Sequence, residues 1–122
     1  MAERQALRTG SEDAGDTTRA RADIVHFTRR ELSQILSVYG RMVAAGEWRD
    51  YAIDWLKEVA VFSVFRRSSE VPLYRIEKRP KLRTRQGAYS VLAPTGLILK
   101  RGHDLAQVLH VFDRQLLKTV SD

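Results

Sequence analysis

Apolar residues recur at helical spacing near both ends of this chain and alternate in the manner of β-strands between them. The first helical stripe consists of Leu32, Ile35, Leu36, Tyr39, Met42 and Val43. It predicts a helix from Arg29 to Ala45 with one apolar face. Thr28 and Glu31 have the spacing of a capping box at its start, and Gly46 supplies a left-handed stop at its end.

The middle of the chain is rich in Val, Ile, Phe and Tyr and predicts four or five antiparallel strands in hairpins. The expected strands are residues 59–67, 73–78, 88–93 and 97–101. Ser68–Glu70 and Pro94–Gly96 are the expected hairpin turns, and residues 78–87 are the expected connection between the two hairpins. Residues 49–56 are ambiguous, because Tyr51, Ile53 and Trp55 alternate like a strand while Ile53 and Leu56 would also suit a helical turn.

A second apolar stripe closes the chain and predicts a C-terminal helix. Its members are Leu105, Val108, Leu109, Phe112, Leu116 and Val120. Asp104 is the expected cap, with Gln107 completing a capping box. Two amphipathic helices flanking a β-rich middle predict a two-layer α+β domain, in which both helices cover one face of one sheet.

The N-terminal residues lack this patterning. Residues 1–26 contain almost no bulky apolar side chains before Ile24 and are predicted to form a disordered tail. Residues 27–122 then form a single domain. The chain has no cysteine, and no apolar run approaches the length of a membrane span. These features favour a soluble protein of the cytoplasm.

Charge is concentrated in one part of the chain. Residues 66–101 hold ten basic residues and two acids, a net charge of 10 − 2 = +8, whereas the whole chain is +6. Like charges are costly to gather on a surface unless an anionic partner meets them. The segment is therefore the best indication of function in the sequence.

This pattern predicts a polyanion-binding surface, with sequence-nonspecific nucleic-acid binding as the leading hypothesis. The predicted contacts are Arg66, Arg67, Arg75, Lys78, Arg79, Lys81, Arg83, Arg85, Lys100 and Arg101. Tyr74 and Tyr89 are the expected stacking residues. They would lie beside Arg75 or Arg101 if these residues share an open face of the sheet.

Two other interpretations stay open. The same cations could recognise an acidic protein surface, or they could form a solvated surface without a partner. A protein partner could also use an exposed sheet edge or the corner formed by Trp48, Arg49 and Tyr51, because Trp, Arg and Tyr dominate binding hot spots. The alternative for this corner is that Trp48 packs under the end of the first helix.

No catalytic chemistry is predicted. His103 and His110 are seven residues apart, too far along a helix to share one metal ion, and His26 is remote in sequence. The chain has no glycine-rich phosphate loop and no nucleophile elbow. We therefore expect a non-enzymatic binding domain without metal or cofactor. The oligomeric state is not determined by the sequence.

Four segments resemble a small alphaproteobacterial family classed as a domain of unknown function. They are Tyr39–Tyr51, Phe62–Arg67, Tyr74–Lys81 and Leu99–Leu105. The resemblance covers residues 27–120 and leaves out the N-terminal tail. It implies membership of that family, which has no assigned activity, and therefore implies no catalytic residue.

Overall fold

The computed structural model describes residues 2–4, 24–67 and 71–113. The elements are β1 (Ala2–Arg4), α1 (Arg29–Ala44), β2 (Asp50–Leu56), β3 (Val59–Phe65), β4 (Tyr74–Lys78), a 3-10 helix (Pro80–Leu82), β5 (Tyr89–Leu92), β6 (Ile98–Gly102) and α2 (Leu105–Leu109). A helix, antiparallel strands in one sheet and a short second helix confirm the predicted α+β class.

Helix α1 begins and ends as its sequence predicts. The amide of Thr28 donates to Glu31 Oε1 at 2.7 Å and the amide of Glu31 donates to Thr28 Oγ1 at 3.1 Å, which completes the capping box. At the other end Gly46 has a φ of +78°. Its amide and that of Glu47 donate to carbonyls of the last helical turn, which is a Schellman motif.

The sheet has the strand order β1-β2-β3-β4-β5-β6, and β2 to β6 form an antiparallel meander. The ambiguous stretch before residue 57 is strand β2, paired with β3 from Asp50↔Phe65 to Leu56↔Val59. Its alternating aromatic and apolar residues are explained by this pairing, since Ile53 lies opposite Phe62 on the face toward the helices. The predicted turn at Pro94–Gly96 is confirmed by the Gly96 amide, which donates to Ala93 at 2.9 Å.

Strand β1 is an element that the sequence analysis does not predict. Ala2–Arg4 pair parallel with β2, in the register Ala2↔Ala52 to Arg4↔Asp54. Ile24 forms an isolated bridge with Lys57 near the end of β2. Most of the predicted tail lies outside the described residues, as does the expected turn at residues 68–70, so both stay predictions.

The core lies between one face of the sheet and the two helices. Its buried side chains are Phe27 and Trp48 on either side of α1, Ile35, Val38 and Met42 of α1, Ile53, Ala60, Phe62, Val64, Ile76 and Val91 of the sheet, and Leu105, Val108, Leu109 and Phe112 near the C-terminal end. Aromatic rings join these layers, because Phe112 packs edge-on against Trp48 with a centroid distance of 4.9 Å. Burial of this continuous apolar surface is the main source of stability for the fold.

The opposite sheet face carries polar residues but is less open than a solvated face would be. The register places Val61, Glu77, Ser90 and Arg101 in one row across it. Glu77 is only 5% exposed, and Val61 and Ser90 are also buried. This face therefore does not offer a broad exposed platform.

The second helix confirms the predicted position and apolar face as far as it is described. Asp104 accepts a hydrogen bond from the Ala106 amide at 2.9 Å, and Leu105, Val108 and Leu109 are buried. Leu116 and Val120, the last members of the predicted stripe, lie outside the described residues. None of the helices in the described part of the chain is long and apolar enough to cross a membrane.

Candidate functional site: a structured basic turn

The first cation of the densest basic run is part of the folded interior. Lys78 ends β4, and its Nζ donates to Glu31 Oε1 at 2.8 Å and to the His26 carbonyl at 2.8 Å. The Lys78 side chain is 15% exposed and that of Glu31 is 12% exposed. Tyr89 donates its hydroxyl to the other oxygen of Glu31. This network joins the start of α1 to β4 and β5.

The network shifts the ionisation of both partners of the Glu31–Tyr89 hydrogen bond. Burial by itself raises the pKa of Glu31, but hydrogen bonds from Lys78, Tyr89 and the Thr28 amide, with the charge of Lys78, outweigh burial and hold it below its ordinary value. Burial and the bond to Glu31 raise the pKa of Tyr89 to about 12. Glu31 is therefore charged and Tyr89 neutral at physiological pH.

The residues that follow Lys78 form a compact turn, which we call the basic turn (residues 79–86). The Arg79 amide donates to the Ala88 carbonyl at 2.7 Å and closes the loop. The Leu82 carbonyl accepts from the amides of Arg85, Gln86 and Gly87 at 2.9–3.1 Å. Because these bonds fix the backbone, the predicted connection between the hairpins is a folded element.

Gly87 anchors the end of the basic turn to β6. It has a φ of +102°, a conformation that glycine adopts without steric cost. A Cβ at this position would lie 2.8 Å from Gly102 Cα and closer still to the Gly102 carbonyl group. Only glycine therefore permits this approach of two backbones.

The basic turn directs its central cations outward. Lys81, Arg83 and Arg85 are exposed. Lys81 lies 3.4 Å from Glu58, but the two side chains are 73% and 49% exposed, so the ion pair is weak. Within the described residues neither Arg83 nor Arg85 contacts a carboxylate. The three side chains thus present positive charge from a fixed backbone.

Arg79, at the start of the turn, is committed to the sheet. Its Nε donates to Glu77 Oε1 at 3.2 Å, and Glu77 is buried. Removing Arg79 would leave a buried carboxylate without this partner. Arg79 is therefore a poorer candidate for a ligand contact than Lys81, Arg83 or Arg85.

The remaining predicted contacts are divided between the sheet face, the sheet edge and the far end of the sheet. Arg75 and Arg101 lie on the face opposite the helices, and Arg101 Nη1 donates to Gln86 of the basic turn. Lys100 is exposed on the edge strand β6. Arg66 follows the far end of β3 and lies 3.5 Å from Glu47. The ten cations therefore do not form one surface.

The distance between the two basic ends follows from the strand register. Lys78 lies opposite Ala60, and Arg66 is six residues further along β3. At about 3.3 Å per residue, the basic turn and the pair Arg66 and Arg67 are separated by roughly 20 Å. Contacts at one end are independent of contacts at the other for a short ligand.

The stacking prediction is wrong in its geometry. Tyr74 and Tyr89 lie opposite Val64 and Lys78, on the face toward the helices, whereas Arg75 lies on the other face. The Tyr74 ring packs edge-on against Phe112 at 5.3 Å, and Tyr89 is bonded to Glu31. Alternation of side chains along β4 makes it impossible for Tyr74 and Arg75 to share a face.

The predicted partner corner is mostly core. Trp48 is 1% exposed and packs against Phe112. The Tyr51 ring stacks on Phe62 at 4.7 Å. Of the three predicted residues only Arg49 is exposed, and its amide donates to the Phe65 carbonyl at 2.8 Å. The burial of Trp48 agrees with the alternative given for this corner, in which Trp48 packs under the end of the first helix.

Three cations near the basic turn were missed by reasoning along the sequence. Arg29 and Arg30 open α1 beside the residues that bind Lys78, and Lys57 precedes Glu58 in the β2–β3 turn. All three are exposed. The sequence contained one signal for Arg29 and Arg30. Two arginines in the first turn of a helix oppose the helix dipole, so helix stability does not explain their presence and a binding role is a reasonable alternative.

A concave region lies between α1 and α2, away from the cations of the basic turn. It is a groove of about 370 Å³ lined by Ser33, Ser37, Arg41, His110 and Asp113 among others. His110 Nδ1 lies 2.6 Å from Asp113 Oδ2, and Arg41 lies 3.7 Å from Asp113. The serines lie within a continuous helix, whose amides bond to its own carbonyls and are not free to stabilise an oxyanion. Among the described residues no group of three His, Asp or Glu side chains could hold a metal ion.

Comparison with known families assigns the chain to a lineage. The family model described as "Protein of unknown function (DUF2794)" matches residues 25–109. The chain belongs to the DUF2794 family. The match spans α1, strands β2–β6 and α2, and it confirms the resemblance found in the sequence. No curated protein and no solved structure matches the chain. Membership of DUF2794 carries no assigned activity.

Proposed function

We propose that this DUF2794 protein binds nucleic acid without sequence specificity, through phosphate contacts made by the basic turn. The observation that supports the proposal is the outward placement of Lys81, Arg83 and Arg85 on a hydrogen-bonded backbone. A fixed backbone lowers the entropy lost when these cations meet a ligand. Gln86, the only amide side chain of the basic turn, already accepts a hydrogen bond from Arg101, and we expect the exposed cations to contact phosphates, which carry no sequence information.

The strength expected from such a site is modest and depends on salt. Each phosphate that is neutralised releases counterions, and three contacts on a duplex weaken binding by roughly 40-fold between 50 and 200 mM salt. Arg29, Arg30 and Lys57 lie at the same end of the sheet and would add to the attraction at longer range.

The test is a fluorescence-anisotropy titration of labelled oligonucleotides, single- and double-stranded, at about 50 mM salt and up to about 100 µM protein. The key variant is Lys81→Gln/Arg83→Gln/Arg85→Gln. The matched control is Arg49→Gln/Arg66→Gln/Arg67→Gln, which removes the same charge from exposed residues at the far end of the sheet. We expect the key variant to lose most of the binding and the control to retain most of it. No binding by the wild type, or equal loss in both variants, contradicts the proposal.

A protein partner is a second candidate function, supported by the edge strand of the sheet. Leu97 is 63% exposed, Ile98 42% and Leu99 37%, and no described residue pairs with the outer side of β6. We propose as the alternative function that this apolar edge, with Lys100 and Arg101 beside it, recognises a partner segment with apolar and acidic side chains.

Conditions that weaken electrostatic attraction distinguish nucleic-acid binding from binding of a protein partner. A protein complex on the apolar edge should persist after nuclease treatment and at about 0.5 M salt, where exposed charges are screened. It should be lost in Leu97→Asn/Leu99→Asn and kept in the basic-turn variant. A complex that disappears with nuclease, or survives the leucine substitutions, contradicts this candidate.

A further inference from the structure

We infer that the nucleic acid bound by the basic turn is a duplex held through its phosphates, and that single strands are the weaker ligand. The inference rests on the proposed function and specifies its ligand. It comes from the placement of the aromatic residues in the whole molecule together with the rigidity of the turn.

The protein has no exposed aromatic platform. It contains two Trp, four Tyr and four Phe, and all ten lie between residues 27 and 112, within the described part of the chain. Each of the ten is buried or half-buried. Proteins that hold single strands without sequence preference stack bases on exposed aromatic rings. That contribution is missing on this surface.

The aromatic residues nearest the basic turn are already engaged. The hydroxyl of Tyr89 bonds to Glu31. The Trp55 ring, at the same end of the sheet, packs against His26 at 5.1 Å and against Phe27 at 5.8 Å. Turning either ring toward a base would break core contacts. Stacking of bases on aromatic side chains therefore has no low-cost route at this site.

The rigidity of the basic turn favours a ligand whose phosphates are also fixed. The Leu82 carbonyl accepts from two amides of the turn and from the Gly87 amide, and Gly87 packs the end of the turn against Gly102. A duplex presents phosphates at regular spacing without an ordering cost, whereas a flexible single strand must be ordered to reach the same contacts.

Counterion release adds a preference of predictable size. The logarithm of the binding constant falls linearly with the logarithm of the salt concentration. The slope is about 0.9 per phosphate contact for a duplex and about 0.7 for a single strand. For three contacts at 0.1 M salt, this difference alone favours the duplex roughly fourfold.

The experiment compares four ligands of one sequence and one length, namely duplex DNA, duplex RNA, single-stranded DNA and single-stranded RNA, by anisotropy at about 0.1 M salt. We expect at least one duplex to bind about fourfold more tightly than its strands. The two duplex arms show whether B-form or A-form spacing of phosphates is preferred. Single strands that bind as tightly as both duplexes, or more tightly, overturn the inference and leave the proposed function standing. Absence of binding to all four ligands overturns both.

A gain-of-function variant tests the cause of the preference. Thr84 lies between Arg83 and Arg85 and is exposed, so Thr84→Trp adds the missing aromatic ring at little cost to folding. Thr84→Leu is the matched control, because it adds apolar bulk without a ring face. We expect the tryptophan to strengthen single-strand binding selectively and the leucine to leave the ratio unchanged. An unchanged ratio in both variants contradicts the argument from aromatic placement.

Discussion

Lys78 and the basic turn are adjacent in sequence and are both positively charged, yet Lys78 is largely buried and the central cations of the turn are exposed. The Lys78 side chain is 15% exposed and reaches from β4 to the start of α1, where two oxygen acceptors at 2.8 Å hold its ammonium group. Three residues later Lys81 is 73% exposed and makes one loose contact with Glu58. Lys78 stabilises the fold, whereas Lys81, Arg83 and Arg85 are exposed and available to a ligand.

The difference shows that a count of charges overestimates a binding surface. Lys78 is the last residue of β4 and its side chain lies on the sheet face toward the helices, so its charge is compensated by Glu31. Arg79 compensates the buried Glu77. Charge that neutralises the protein itself is not available to a polyanion. The site that remains is smaller than the basic segment but has a better defined shape.

The largest expected effect comes from breaking the anchor of the basic turn. Gly87→Ala places a Cβ against the Gly102 backbone at a φ of +102°, and we expect the free energy of unfolding to fall by about 3 kcal/mol or more. The measurement is urea denaturation. Gly96→Ala is the control: it has a similar φ of +92° but nothing within 4 Å of the added Cβ, and it should cost about 1–2 kcal/mol. Equal losses would show that the approach to Gly102 is unimportant.

The next effect separates the buried cation from the exposed ones. Lys78→Ala removes two hydrogen bonds and leaves Glu31 largely buried without its charged partner, so we expect a loss of about 2–3 kcal/mol. Lys81→Ala should change the free energy of unfolding by less than about 0.5 kcal/mol. Chemical denaturation of both variants checks the contrast, and similar losses would remove the distinction on which the proposed site depends.

Acid should weaken the same network. The pKa of Glu31 is lowered in the folded protein, so its carboxylate contributes stability above the unfolded pKa of about 4.3, and this contribution is lost as the pH falls through the folded pKa. Glu31→Gln should cost about 1–2 kcal/mol at pH 7. The gap between wild type and variant should narrow below about pH 4.3. Denaturation midpoints across this range test the prediction, and a gap that widens in acid contradicts it.

The smallest effect on stability is expected where the effect on binding is largest. Lys81→Gln/Arg83→Gln/Arg85→Gln removes exposed side chains, and the free energy of unfolding should change by less than about 1 kcal/mol in total. Thermal unfolding checks this value on the sample used for anisotropy. A large loss of stability would mean that the three side chains support the fold of the turn. The loss of binding in this variant would then have to be compared with that of Gly87→Ala, which destabilises the turn but keeps its charge.

Much of the fold could be predicted from local patterns. The capping box at Thr28 and Glu31, the glycine stop at Gly46 and the turn at Pro94–Gly96 each depend on residues close together in sequence. Such signals are set by local sterics and hydrogen bonding, so they survive without knowledge of the tertiary structure. The alternation in β2 was ambiguous only because a seven-residue stretch is too short to separate the two periods.

The candidate site was less predictable because its members depend on distant partners. Glu31 is 47 residues from Lys78 and 58 residues from Tyr89, and no local pattern links them. Trp48 resembles a hot-spot residue in sequence but fills the core against Phe112. Exposure decides between these roles, and exposure is a property of the packed layers.

The sequence by itself determined the α+β class, the main helix and the position of a strongly basic segment, because propensity, periodicity and net charge are local or additive. Its resemblance to the family model over residues 25–109 determined the family. Only the tertiary structure decided which cations remain available. The alternation of side chains along the strands places Lys78, Tyr74 and Tyr89 on the sheet face that the helices cover, so these side chains are packed or bonded within the protein. The strand register places Arg66 at the opposite end of the sheet from the basic turn. The outward group is Lys81, Arg83 and Arg85, since the folded turn exposes all three and, among the described residues, only Lys81 lies near a carboxylate, that of the exposed Glu58.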